Sequence, residues 1–180
     1  DATTPAVARA TGAVVSVSTG DPRRSVELRD SILGLLGDGS LAATAQRPRE
    51  RGSVVLIGGG PGAADLITVR GRRELLNADV VVHDRLAPVE LLGLLGAGVE
   101  VIDAGKSPGR HALSQDEINE VIVDRARSGR RVARLKGGDS FVLGRGSEEI
   151  LACAAAGIPV EVIPGITSAV AAPAAAGIPV

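Results

Sequence analysis

Tryptophan, tyrosine and methionine are absent from this sequence; phenylalanine occurs once, as Phe141, and cysteine once, as Cys153. With so few rings, a core must be assembled from Ala, Val, Leu and Ile, which bury less area per side chain. A lone cysteine excludes an intrachain disulfide, and in its Ala-rich setting Cys153 reads as a small buried apolar residue. No run of 18 or more apolar residues occurs, so no segment reads as a membrane-spanning helix. Residues 1–20 lack the basic start and apolar centre of a secretory signal, and a soluble cytoplasmic protein is the expectation. A net charge of −1 gives no general attraction to nucleic acid or to an anionic membrane. His83 and His111 are too few and too separated for a metal site, so no metal is expected. With no methionine and Asp1 at the start, an excerpt or a processed N-terminus is expected.

What is present is a chain of 180 residues, 44% hydrophobic, enough for one domain of ordinary size. Residues 13–17 read as a short strand. Asp21 and Pro22 then read as N-cap and first helical position of a helix over 25–36. Residues 38–52 are polar and make the best linker candidate. Residues 1–51, with one strand and one helix, are too few to bury much surface alone, and look like the end of another module.

From Ser53 the pattern becomes regular. Residues 54–57 read as a strand buried on both faces, ending in Gly58-Gly59-Gly60-Pro61-Gly62, with a helix over 65–77. Residues 80–82 form a second strand ending at His83-Asp84-Arg85, followed by a helix over 89–95. Residues 99–102 form a third, ending in Asp103-Ala104-Gly105-Lys106. Ser114 and Glu117 carry a capping-box signature, and Gly129 closes the helix they open. A fourth strand from Arg131, a helix over 148–156, a fifth strand over 160–163 and a helix over 166–176 complete the chain. This alternation predicts a five-stranded, mainly parallel sheet with flanking helices, preceded by a short α/β remnant. The heptapeptide Ala-Ala-Ala-Gly-Ile-Pro-Val at 154–160 recurs at 174–180, so a further extended segment is expected beyond residue 180.

The stretch 134–146, Arg-Leu-Lys-Gly-Gly-Asp-Ser-Phe-Val-Leu-Gly-Arg-Gly, opens from the end of the fourth strand. Gly137-Gly138 lacks Cβ atoms, so a flat ligand could lie on the main chain there. Ligands of open α/β sheets bind beyond the carboxyl ends of strands. The glycine run at 58–62 does not keep the Gly-x-Gly-x-x-Gly spacing, and Pro61 removes an N–H that a phosphate would use. A tight turn bringing the chain close to some other ligand is the preferred reading. Asp84 and Lys106 are candidate acid–base groups at strand ends; alternatively Asp84 pairs with Arg85 or caps the next helix. Arg85, Lys106, Arg110, Arg134, Lys136 and Arg145 concentrate in these loops, which suits a polyanionic small molecule or simply a solvated surface.

Residues 52–180 resemble the first domain of the uroporphyrinogen-III C-methyltransferases, in the tetrapyrrole (precorrin) methylase superfamily. The resemblance is carried by Gly58–Gly62, 82–86 (Val-His-Asp-Arg-Leu), Gly105-Lys106 with Gly109-Arg110-His111, Gln115 with Ile118-Asn119, 134–146 with Glu148-Glu149, and 164–169 (Pro-Gly-Ile-Thr-Ser-Ala). It implies transfer of two methyl groups from S-adenosyl-L-methionine to uroporphyrinogen III, giving precorrin-2 for sirohaem and cobalamin. It implies Asp84 as proton acceptor and Lys106 as proton donor. Pro61, Gly137, Gly138, Asp139, Val142, Thr167 and Ser168 would contact the cofactor, and Arg85, Arg110 and Arg145 the substrate carboxylates. A homodimer is implied for the complete protein, with the cofactor in a cleft between two α/β domains, of which the second is missing here. This fragment is therefore expected to be inactive or nearly so.

The sequence departs from the family in having His83 for Tyr, Ser140 for Pro and Leu143 for Phe. Residues 1–51 more weakly resemble the closing segment of a precorrin-2 dehydrogenase/ferrochelatase module plus linker, as in sirohaem synthases. Two other readings stand beside this one: a methylase of the same superfamily acting on another precorrin, and a non-catalytic binding or assembly module.

Overall fold

The computed structural model describes residues 5–10, 13–37, 52–105 and 113–180. The chain forms two compact units divided after residue 45.

In the first unit, β1 (Ala6–Ala10) pairs antiparallel with β2 (Ala13–Val17), Val7 opposite Ser16 and Arg9 opposite Val14. The first of these was not expected, because Ala-Val-Ala-Arg-Ala holds one β-branched residue and owes its conformation to its partner. α1 (Pro22–Gly37) follows. Its start is as the sequence indicates: Asp21 Oδ1 accepts the N–H of Arg23 at 2.9 Å, and proline stands where no helical N–H is needed.

The second unit holds β3 (Ser53–Gly58), α2 (Val69–Leu76), β4 (Val80–His83), β5 (Glu100–Asp103), α3 (Gln115–Arg127), β6 (Arg131–Lys136), α4 (Gly146–Ala155), β7 (Val160–Ile163) and α5 (Ser168–Ala175). Its five strands lie in the order β5-β4-β6-β3-β7, and every pairing is parallel. Both faces are covered, as parallel sheets require. Val54, Leu56, Val80, Val82 and Val132 pack with Ile118, Ile122 and Ala126 of α3 and Cys153 of α4. The alternate residues Val55, Ile57, Val81, Ala133 and Leu135 pack with Leu75 of α2 and with Leu91. Period-two alternation thus serves two aliphatic cores, and each fully buried Leu or Ile contributes about 2 kcal/mol.

Two expected helices differ. Over 65–77, a 3-10 turn (Ala64–Leu66) precedes α2, whose N-cap is Thr68; its side-chain oxygen accepts the Gly71 N–H at 3.0 Å. Over 89–95 the chain makes only a 3-10 segment (Val89–Leu94), with Leu91 N–H donating to Pro88 O at 3.1 Å. Gly93 lies within it, and the run is too short to sustain an α-helix. Ser114 and Glu117 form the reciprocal capping box at the start of α3. Among the described residues, no helix is long and apolar enough to cross a membrane.

Candidate active site

Because the strands are parallel, their carboxyl ends at Gly58, His83, Asp103, Lys136 and Ile163 share one edge of the sheet. Glycine lets the loops there interlock. Gly60 N–H donates to Gly138 O at 3.1 Å, and Gly138 N–H returns a bond to Gly60 O at 2.7 Å. A Cβ on Gly58 would lie 2.5 Å from Gly165 N and 2.7 Å from Gly138 O. A Cβ on Gly137 would lie 2.6 Å from both Cβ and O of Leu86. The close approach expected of the 58–62 turn is therefore made to the protein's own main chain. The side of Gly137 where a Cβ would stand is likewise taken by Leu86.

Gly138 differs. It has φ 63°, and a Cβ there would meet only Thr167 Cα at 3.8 Å, Ser168 N at 3.9 Å and Ile166 O at 4.0 Å. The structure thus brings Pro61 (next to Gly60), Gly137, Gly138, Asp139, Thr167 and Ser168 to one rim. Asp139 fastens it: Oδ1 accepts Phe141 N–H at 2.8 Å and Oδ2 accepts Gly165 N–H at 2.9 Å. Val142 follows in the same turn, its N–H donating to Asp139 O at 3.3 Å. Phe141, Val142 and Leu143 are all exposed. Thr167 caps α5, its Oγ1 accepting Ala169 N–H at 3.3 Å.

Asp84 sits at the end of β4, with the turn it begins lying on Gly137. Its Oδ1 accepts Leu86 N–H at 3.0 Å, and its Oδ2 lies 3.7 Å from Arg134 Nη2. Neither local role read from the sequence is the one observed: the next helical segment has Pro88 as N-cap with no side-chain cap, Asp84 instead closes its own turn on Leu86, and Arg134, rather than Arg85, is its nearest cation. Its side chain keeps 30% of its surface accessible, so solvent reaches it. His83 beside it is buried, with Nδ1 3.2 Å from Asp84 O.

Beneath Asp84 lies a cluster of buried charge. Arg134 and Lys136 are two apart on β6 and so share a face, the one that α4 covers. Both meet Glu149 of α4, which has no accessible surface. Glu149 Oε1 accepts from Arg134 Nε at 2.9 Å and Lys136 Nζ at 3.0 Å, with Gln115 Nε2 at 3.5 Å; Glu149 Oε2 has no partner among the described residues. Arg134 Nη1 donates to the carbonyls of Val82 and Leu135, each at 3.2 Å. Burial, with the Arg134 charge beside it, holds the Lys136 ammonium below the ordinary lysine range, and Glu149 offsets only part of this.

This corrects the grouping of basic residues. Arg134 and Lys136 are buried and paired, so they are not part of an open anion-binding surface. Arg145 is exposed and held by Glu148, both bonds at 2.6 Å, while Arg85 is exposed with no ion pair among the described residues. Lys106 and Arg110 lie outside the described residues. The role of Glu149 was not read from the sequence. Two cations at alternate positions of a central, doubly covered strand were the available signal, since they require a buried anion. Among the described residues, no group of three or more His, Cys, Asp or Glu is placed to hold a metal.

Residues 53–180 match the family described as Tetrapyrrole (Corrin/Porphyrin) Methylases. The chain is 53% identical over 129 residues to a uroporphyrinogen-III C-methyltransferase of Methanocaldococcus jannaschii, covering 72% of this chain and 53% of that protein. It is 49% identical over 131 residues to siroheme synthase 1 of Klebsiella pneumoniae, covering 73% and 28%. Among solved structures, a uroporphyrin-III C-methyltransferase of Thermus thermophilus superposes with a TM-score of 0.63 at 46% identity, over 72% of this chain and 54% of that one. A structure of the T. thermophilus enzyme complexed with S-adenosylhomocysteine gives a TM-score of 0.59 at 43% identity, over 67% and 51%. The chain spans about half the length of the first of these relatives, 53%, and less of the siroheme synthase, 28%.

Proposed function

This chain belongs to the tetrapyrrole (corrin/porphyrin) methylases, and on that premise we propose that the protein C-methylates uroporphyrinogen III with S-adenosyl-L-methionine, giving precorrin-2. The observation that supports this best is the shared rim of Gly138, Asp139, Thr167 and Ser168, reached by the turn that carries Asp84. The rim fits the cofactor. Gly138 offers a bare α-carbon where any side chain would intrude, Asp139 keeps acceptor capacity beside it, and Val142 and Phe141 supply exposed apolar surface. Pro61, Gly137, Gly138, Asp139, Val142, Thr167 and Ser168 are proposed to hold it.

S-adenosylmethionine supplies an electrophilic methyl group, whose bond to sulfur breaks as the bond to a macrocycle carbon forms. Methylation at carbon adds one positive charge, so a proton must leave the macrocycle. Asp84 is proposed to accept it, being a partly exposed carboxylate with one oxygen fixed by Leu86 N–H. Lys106 is proposed as a proton donor to the macrocycle, each proton it gives at one position being matched by one lost from another. Among the described residues Arg85 has no carboxylate partner, and it is proposed, with Arg110 and Arg145, to meet the substrate's acid groups. Residues 1–51 are proposed to be the tail of a dehydrogenase/ferrochelatase-like module, in line with the siroheme synthases among the relatives. A cytoplasmic homodimer is proposed for the working enzyme.

The test is transfer of labelled methyl groups from S-adenosylmethionine to uroporphyrinogen III by the full-length enzyme. Two methyl groups per macrocycle are expected. Transfer to a later precorrin but not to uroporphyrinogen III would redirect the proposal to another methylase of the family. Calorimetric binding of S-adenosylhomocysteine without any transfer would favour a binding module.

A further inference from the structure

Arg134, Lys136 and Glu149 are buried beneath the site, and the proposed reaction assigns them nothing. Removing such charges from water costs several kcal/mol each unless geometry compensates. Here the compensation is lopsided. Glu149 Oε1 receives Arg134, Lys136 and Gln115, while Oε2, equally buried, receives no donor. A carboxylate serving only to neutralise two cations could share its oxygens between them. Instead, every bond it makes falls on the oxygen that holds Arg134 Nε.

A guanidinium is a rigid plane, so fixing two of its nitrogens fixes the direction of the third. Glu149 fixes Nε, and the carbonyls of Val82 and Leu135 fix Nη1. Nη2 is then left facing Asp84 Oδ2 at 3.7 Å, while Leu86 N–H holds Asp84 Oδ1 at 3.0 Å. We infer that Arg134 is a positioning residue for Asp84, with Glu149 as the buried anchor that aims it. This rests on the reading of Asp84 as the proton acceptor. Lysine at 134 could supply charge but not the fork, so the role belongs to the planar group.

The experiment measures, on the full-length enzyme, methyl transfer to uroporphyrinogen III, S-adenosylhomocysteine binding by calorimetry, and thermal melting for Asp84→Asn, Arg134→Met, Arg134→Lys and the triple variant Arg134→Met/Lys136→Met/Glu149→Gln. Arg134→Met is expected to lower kcat by about 10–100-fold, as misplacement of a reacting group does. Its S-adenosylhomocysteine affinity should stay within about twofold of the parent, which marks a loss confined to the transition state. Arg134→Lys should recover only part of the rate. The triple variant removes all three buried charges and leaves none unpaired, so it should keep or regain melting temperature without regaining rate. A purely structural arginine would behave otherwise: rate would return with stability.

Full kcat in Arg134→Met, or recovered kcat in the triple variant, overturns the inference. If Arg134→Met does not fold, the triple variant, which leaves no unpaired buried charge, decides alone. Full activity in Asp84→Asn overturns the reading of Asp84 and this inference with it. A slow Asp84→Asn beside a fast Arg134→Met overturns this inference alone.

Discussion

Asp139 Oδ2 accepts the main-chain N–H of Gly165 at 2.9 Å, so a carboxylate just beyond β6 fastens the loop that follows β7. Its other oxygen closes its own turn on Phe141 at 2.8 Å. Asp139→Asn must turn an NH2 group toward one of these two N–H donors. It is expected to cost about 1–3 kcal/mol, the penalty of an unmet partly buried donor. It should also weaken S-adenosylhomocysteine binding and speed hydrogen exchange at the Gly165 amide. Unchanged exchange at Gly165 would show that the fastening is not needed.

The two glycines before it should respond differently to alanine. Gly138→Ala meets no atom closer than 3.8 Å and bears mainly the left-handed conformation at φ 63°, about 1 kcal/mol. Gly137→Ala drives a methyl group to 2.6 Å from Leu86 Cβ and O and must displace the Asp84 turn. Melting curves should place Gly137→Ala well below Gly138→Ala. Gly138→Ala should instead lose S-adenosylhomocysteine affinity, because its methyl enters the open side of the rim.

Asp84→Ala removes the proposed proton acceptor and leaves the Gly138–Ser168 rim intact. Turnover should fall by about 10²–10⁴-fold, the range for a positioned base. Cofactor affinity should change little. Measured rates and calorimetry on the same preparation separate the two, and parent-like turnover would remove Asp84 from the reaction.

Glu100 on β5 is held by Arg125, with bonds of 3.0 and 2.8 Å, and also by Arg130. The Arg125 hydrogen bond, helped by Arg130, keeps its carboxyl below the ordinary glutamate value of 4.5. A carboxylate depressed on folding stabilises the fold above its unfolded pKa and loses that contribution as pH falls through the folded one. Glu100→Gln should therefore melt below the parent near neutral pH, with the gap closing at pH values under 4.5. The cluster is largely solvated, so the difference should stay within about 1 kcal/mol. A gap that widened in acid would contradict the assignment.

β2, β3, β4, β5 and β7 were legible because each is a short run rich in β-branched residues between glycine-rich or polar breaks, while β1, with one such residue, was not; a parallel sheet then places the ends of β3 to β7 together. Thr68 was hidden: Leu66 and Ile67 extend the apolar pattern through it, and nothing local says that the chain turns once before α2 begins. The segment at 89–94 has helical spacing but too little length. Arg134 and Lys136 were read with the loop that follows them, because side-chain charge suggests solvent. Their burial depends on Glu149, a residue of another element, and no local pattern reports that pairing. The glycines were correctly marked as points of close approach, but whether a ligand or Leu86 and Gly165 comes close is decided by tertiary structure. Asp84 neither pairs with Arg85 nor caps the segment at 89–94; it closes a turn on Leu86, two residues on, a local bond that the spacing alone does not report.

The order β5-β4-β6-β3-β7 means that β3 and β4, neighbours in sequence, never pair; β6 is wedged between them. As the chain leaves the ribosome, β3 and the β4–β5 pair have no edge in common until residues 131–136 arrive. The same residues lead directly into Gly137, Gly138 and Asp139. Sheet closure and the birth of the rim are thus one event. A nascent chain arrested before that point is left with two unjoined strand edges open to aggregation and without the loop pairing of Gly60 with Gly138.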